Sequence, residues 1–313
     1  MRLDLLAALS GGMISLQARV NGELSHRLNN GLQAALISFG SGFIIIFIVT
    51  MFNPKIKAGL RNLRSAVARK EIAKWKLFAG SLGGCFIAIQ TQIVPLVGVA
   101  IFTVASTAGQ TVMSLFVDRI GFTGGGKRLI TKRRILAVVI TIAAVLVSVL
   151  DRIEANNLSV LTITAGCLAG LMVGFQRALN GQINENTNQG FATSLLNFMS
   201  GTSLLLTIVV IGILSGNYEL VPLPQGPWWI YTGGVIGVLY ISFAAGIVQK
   251  LGVLTFTLFS VGGQLLSSLV IDIVAPTKGV SISHYLIIGI FMTYAGVIAG
   301  GVSGAQTKRS QIL

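Results

Sequence analysis

The amino-acid sequence predicts an all-α integral membrane protein of ten transmembrane helices, built as two inverted five-helix repeats. Three observations carry this prediction. The 313 residues are 53% hydrophobic and 10% charged, with mean hydropathy +0.82. A soluble domain holds about 25% charged residues, so this chain cannot cover itself with a polar surface. Residues 16–42 and 175–201 match at a constant offset of 159 with nine identities in 27 positions, mostly polar or Gly, including Gln17/Gln176, Asn21/Asn180, Gly22/Gly181, Asn29/Asn188 and Phe39/Phe198. Residues 98–118 match 252–272 at offset 154 with ten identities in 21, among them Ser106/Ser260, Gln110/Gln264, Ser114/Ser268 and Asp118/Asp272. A duplication at this scale defines the architecture before any local reading does.

The spans follow from apolar runs near 20 residues, each able to cross a hydrocarbon core of about 30 Å. They are expected at 2–22, 32–53, 75–95, 98–118, 133–151, 159–180, 191–214, 228–247, 252–272 and 284–304. Backbone polar groups in lipid must be satisfied internally. Runs of this length without strict alternation are helices rather than barrel strands. The repeats occupy 1–151 and 159–313, joined by a short linker at 152–158. Five spans per repeat is an odd number, so the halves cross the bilayer in opposite senses, as in many secondary transporters.

Charge orients the chain. The net charge is +14, and most of it sits in two loops, Lys55–Lys76 and Arg119–Arg134. The positive-inside rule places both in the cytoplasm, and both termini with them. No basic helix interleaved with aromatics stands outside the spans, so nucleic acid is not an expected partner. Arg19 and Arg177 fall at non-equivalent positions near span ends and read as side chains snorkelling to the interface. Cys85 and Cys167 lie singly in apolar spans and read as packing residues. Leu3–Leu9 reads as part of a retained first span rather than a cleaved signal.

Candidate binding residues are polar groups at membrane depth. Ser106, Gln110 and Ser114 are spaced by four, as are Ser260, Gln264 and Ser268. Four residues advance a helix by about 400°, so each trio forms one stripe facing protein or water. Such stripes either line a cavity or act as interhelical glue, often worth about 0.6 kcal/mol per contact. The amides of Gln110 and Gln264 favour the cavity, because they need several partners. Gln17 and Gln176, near the ends of spans 1 and 6, lean the same way, and Gln90 lies deep in span 3 near Pro95. Asn21-Gly22 and Asn180-Gly181 carry a turn signal, so Asn21 and Asn180 are expected to end their helices or to gate the cavity. Asp118 and Asp272 close their stripes as helix-end or gating groups. Gly296, Gly300 and Gly304 form a GxxxGxxxG face for packing within the bundle or for a homodimer.

No nucleophile–base pair, metal-ligand cluster or dinucleotide fingerprint is present in the sequence, so neither an enzyme nor a cofactor is expected. No Asp, Glu or His stands at the centre of a span, where a proton relay would place one. The expected partners are a small-molecule substrate and the lipid bilayer.

The motifs resemble a known family. Each half opens with Q-x-x-x-N-G, at Gln17–Gly22 and Gln176–Gly181, and spans 4 and 9 share G-Q-x-x-x-S-L-x-x-D. This pattern resembles the YdcZ-type branch of the drug/metabolite transporter superfamily in its fused, two-half form. Asp118-Arg119-Ile120-Gly121 is similar to that branch's D-x-x-G ending, whereas Asp272-Ile273-Val274-Ala275 departs from it. The resemblance implies export or exchange of small polar or amphipathic solutes by alternating access, in a bacterial inner membrane. Small multidrug-resistance relatives use a Glu in the first span; here that span offers Gln17, so their proton antiport does not carry over. The alternative from another class is a non-transporting membrane scaffold or accessory subunit, its polar stripes serving only as glue.

Overall fold

The computed structural model describes residues 3–122, 131–148, 150, 160–275 and 282–301. The 152–158 linker, Gly304 and the tail lie outside the described residues. The helices are α1 Leu3–Leu28, α2 Gly31–Phe52, α3 Pro54–Ala68, α4 Ala79–Val97, α5 Val99–Ile120, α6 Lys132–Ser148, α7 Val160–Thr187, α8 Gly190–Leu214, α9 Gly233–Leu251, α10 Val253–Val274 and α11 His284–Gly301. Short 3₁₀ turns, Lys74–Phe78 and Trp228–Tyr231, lead into α4 and α9. There is no strand among the described residues.

Eleven α-helices thus stand among the described residues, where ten were expected in the chain. The additional one, α3, occupies part of the first basic segment. Asn53 caps it by accepting from the Lys55 and Ile56 amides, and Pro54 supplies a pre-set φ at its first turn. Its Ile56, Leu63 and Ala66 are buried while Lys55, Lys57, Arg61 and Arg64 are exposed. That is the amphipathic pattern of a helix lying at a membrane interface. Among the described residues seven helices are long and apolar enough to cross a membrane: α2, α4 with its leading turn, α5 and α7–α10. Of the other expected spans, α1 carries Asp4, Arg19, Glu23 and Arg27, α6 has 17 described residues, and α11 is apolar over His284–Gly296.

The ends of α1 and α7 differ from expectation. Asn21-Gly22 and Asn180-Gly181 do not terminate their helices, which run on to Leu28 and Thr187. The breaks come at Asn29 and Asn188, with φ of 48° and 50°. Asn tolerates this left-handed geometry better than most residues. Gly22 serves close approach instead: a Cβ there would lie 2.6 Å from Val94 Cγ1.

The halves pack as an exchanged pair. α1 packs along α10, and its counterpart α7 packs along α5. α2 meets α8, α6 meets α11, and α5 meets α10. The closest approaches are duplicated too. A Cβ on Gly11 would sit 1.8 Å from the Ser260 carbonyl oxygen, and one on Gly170 would sit 1.9 Å from that of Ser106. Gly109 and Gly263 each stand 1.9 Å, by the same measure, from the carbonyl oxygens of Cys167 and Ala8. α5 and α10 run antiparallel, because each reaches from its C-terminal end to the other's first turn. Asp272 accepts from the amides of Val99 (3.4 Å) and Ala100 (2.8 Å), and Asp118 accepts from that of Leu254 (3.3 Å). Burial grades outward from this pair: 78% of the apolar window of α5 is buried, against 33% for α2. The outer face of α2 exposes Ile44, Phe47, Ile48 and Met51, and α8 exposes Leu206, Ile208, Val210 and Ile211. Apolar surface this extensive fits contact with hydrocarbon.

Candidate functional site

A cavity lies where α1, α4, α5, α7 and α9 meet, with Phe39 of α2 and Phe198 of α8 completing its wall. It holds ≈ 450 Å³ of atom-free space including its mouth. Ile14, Phe86, Ile87, Val173 and Ile241 make the wall mostly apolar, and Gln17, Gln110, Gln176 and Tyr240 supply its polar groups. Apolar walls with a few placed polar groups are the usual composition of a small-molecule site.

Backbone close to the wall positions the glutamines. Gln176 lies over Gly83 of α4, and its counterpart Gln17 lies over Gly237 of α9; a Cβ on either glycine would come within 2.4 and 2.5 Å of the amide nitrogens. Gln17 Nε2 donates to the Gly233 carbonyl at 2.9 Å. Gln176 Nε2 donates to Asn197 Oδ1 at 2.8 Å, and Asn197 Nδ2 donates to Asn180 Oδ1 at 2.7 Å. Asn197 fixes two side chains in this way and was not singled out in the sequence. Its counterpart Ser38 is too short to bridge, and Asn21 has both amide atoms buried with no hydrogen-bond partner among the described residues. Gln110 presents the least satisfied amide on the wall. Its Nε2 reaches Ser106 Oγ only at 3.5 Å, and its Oε1 has no partner among the described residues. A buried amide in this condition costs about 1–3 kcal/mol, which water or a ligand relieves.

The remaining candidates are buried but do not line the cavity. Ser106 donates to the Thr103 carbonyl, and Ser268 donates to that of Leu265. Ser260 Oγ, Gln264 Oε1 and both amide atoms of Gln90 have no partner among the described residues. Asn21 and Asn180 are buried inside their helices rather than at helix ends. Asp118 and Asp272 each cap the opposite half's helix, and Asp118 also pairs with Arg134 at 3.7 Å. Arg134, expected in a cytoplasmic loop, is buried in the first turn of α6 because it reaches this carboxylate. Gly296 packs against the Ala137 carbonyl and Ile140 of α6, so this part of the glycine face is used inside the bundle. Among the described residues no group of three His, Cys, Asp or Glu could hold a metal ion.

Two residues at the site were missed by sequence reasoning. Tyr240 lines the wall, yet an aromatic residue in an apolar span gives no sign of this. Arg177 is a correction. It does not snorkel to the interface but is 3% exposed, one helical turn beyond Val173 of the wall. Its Nε donates to Tyr240 Oη at 3.2 Å, its Nη1 donates to Thr257 Oγ1 at 3.0 Å, and the guanidinium sits 5.2 Å from the Phe256 ring centroid. Arg19, by contrast, pairs with Glu23 at 3.0 Å and is partly exposed.

Apolar helices around a small, mostly apolar cavity with a few polar groups define a multi-pass α-helical membrane protein. The chain belongs to the YdcZ family of the DMT type, described as "Putative inner membrane exporter, YdcZ", whose model matches residues 3–147 and 161–299. One crystal structure, described only as "Crystal structure of protein", is similar in fold with a TM-score of 0.63. It is 14% identical, and the match covers 98% of this chain and 97% of that one. No curated protein matches the chain significantly.

Proposed function

We propose that the protein carries a small polar or amphipathic solute across the bacterial inner membrane, as an exporter or facilitator, by alternating access between two inverted five-helix halves. In this reading ten helices span the membrane, α3 lies along its surface, and both termini are cytoplasmic. The halves are 1–151 and 159–313. The observation that carries the proposal is the cavity itself, with Gln17 and Gln110 from one half and Gln176 and Tyr240 from the other on one wall. Alternating access requires a site at the interface of the repeats, where relative rocking exposes it to one side at a time. Coupling is absent or runs through the solute's own charge, since the buried carboxylates Asp118 and Asp272 are committed to capping.

Water access tests this against the scaffold reading. In a background with Cys85 and Cys167 replaced, Gln110→Cys should react with a membrane-impermeant, water-soluble thiol reagent, and Gln264→Cys should react far more slowly. Equal protection of both positions would leave the polar groups as glue and favour the scaffold.

A further inference from the structure

We infer that Arg177 is the docking point for an oxyanion, so that the solute carries a carboxylate or similar acidic group. This rests on the cavity being the transport site. Among the described residues no carboxylate lies within ion-pairing distance of this guanidinium, although it is 3% exposed within a helix long and apolar enough to cross a membrane. A cation in such a place is rare and marks a ligand or ion pathway more often than a structural contact. Its neighbours are hydroxyl oxygens and the face of Phe256.

The hydrogen-bond pattern shows which edge is available. Nη1 is held by Thr257, whose hydroxyl also meets Ser114 Oγ at 2.8 Å. Among the described residues Nη2 has no partner, and Nε makes only the 3.2 Å bond to Tyr240. Nε and Nη2 form one side of the planar group, the side that accepts a carboxylate through two parallel bonds. The Tyr240 hydroxyl sits at this edge while Tyr240 also lines the cavity. A carboxylate arriving from the cavity therefore displaces a single weak hydroxyl contact and gains both N–H groups.

The site occurs once per chain. At offset 159 Ala18 stands where Arg177 does, and at offset 154 Phe86 stands for Tyr240 and Thr103 for Thr257. Thr103 Oγ1 accordingly has no partner among the described residues. One anion per transport cycle follows, despite the duplicated frame.

The test uses the purified full chain in detergent and follows the thermal unfolding midpoint. The probes are acetate and benzoate, with the matched neutral amides acetamide and benzamide and the matched cations acetamidine and benzamidine. A carboxylate should raise the midpoint as ligand binding to the folded state requires, and its amide and amidine should do so at least about tenfold less potently. Arg177→Gln should abolish the carboxylate response. If that variant does not fold, Arg177→Lys serves: it keeps the charge but loses the fork, and carboxylate affinity should fall by about tenfold. Binding of carboxylates by either variant at wild-type strength would make Arg177 purely structural and overturn the inference. A failure of both carboxylates to bind the folded wild type would do the same. If instead an amide or amidine binds best and Gln110→Ala removes that binding, the cavity stands as the solute site and only its anionic character falls.

Discussion

At the scale of single residues, the cavity depends on glycines that let amides lie flat against a neighbouring helix. A Cβ at Gly83 would meet the far end of Gln176, a flexible side chain, and not backbone. Gly83→Ala should therefore fold, losing about 0.5–1.5 kcal/mol with the Gln176–Asn197 hydrogen bond, while weakening solute binding disproportionately. Melting curves with and without a bound solute separate the two effects; a variant with unchanged ligand response would remove Gln176 from the site. The glutamines were legible in the sequence because amides are conspicuous in an apolar span and recur at one offset. Arg177 was legible only as a cation without a counterpart, and its distance from the span end suggested the interface. What reverses that reading is the onward run of α7 to Thr187, which puts Arg177 well inside the helix. Gln90 and Gln264 share the composition of the wall residues but not their facing, which depends on helix rotation that spacing by four does not specify.

At the scale of helices, the reciprocal caps join the two halves. Gly98 and Gly252 precede α5 and α10 with φ of 85° and 81°, a conformation that side chains rarely adopt. Each helix then starts with open amides, and a carboxylate from the other half accepts from them. Loss of a cap typically costs about 0.5–2 kcal/mol. Asp272→Ala should fall in this range by denaturant unfolding in detergent, and Asp272→Asn should lose less, because the amide still accepts. Asp118→Ala should cost more than Asp272→Ala, since it also removes the ion pair to the buried Arg134. Gly109→Ala and Gly263→Ala should be worse than either, because backbone carbonyls cannot move aside as a side chain can. The pairing of elements was legible from the offsets alone. The lengths of α1 and α7 were not, since Asn-Gly marks a turn only where the Gly takes positive φ, and here its missing Cβ admits Val94. Nor was α3 legible as a helix, because its many Lys and Arg residues read as a loop.

For the whole molecule, exchange symmetry has a consequence that can be measured from either side of the membrane. Apart from α3 on α7, the main helix contacts between the halves are either shared by equivalent helices, as with α2 and α8, or matched by an exchanged partner, as α1 on α10 matches α7 on α5. The proposed inverted arrangement, in keeping with antiparallel α5 and α10, would place the end of α2 and the end of α8 on opposite faces of the bundle. The segment after α2 is strongly basic, whereas residues 215–227 after α8 contain no Lys or Arg, which is the bias expected of an inner and an outer segment. Lys74 and Asn217 are exposed representatives of the two. In a chain lacking Cys85 and Cys167, Asn217→Cys should be labelled by an impermeant maleimide on intact cells, while Lys74→Cys should be protected until inside-out vesicles are used. Labelling of both from one side would break the inverted arrangement and, with it, alternating access by exchange of the halves. Opposite labelling would support the inverted arrangement on which the proposed alternating access depends.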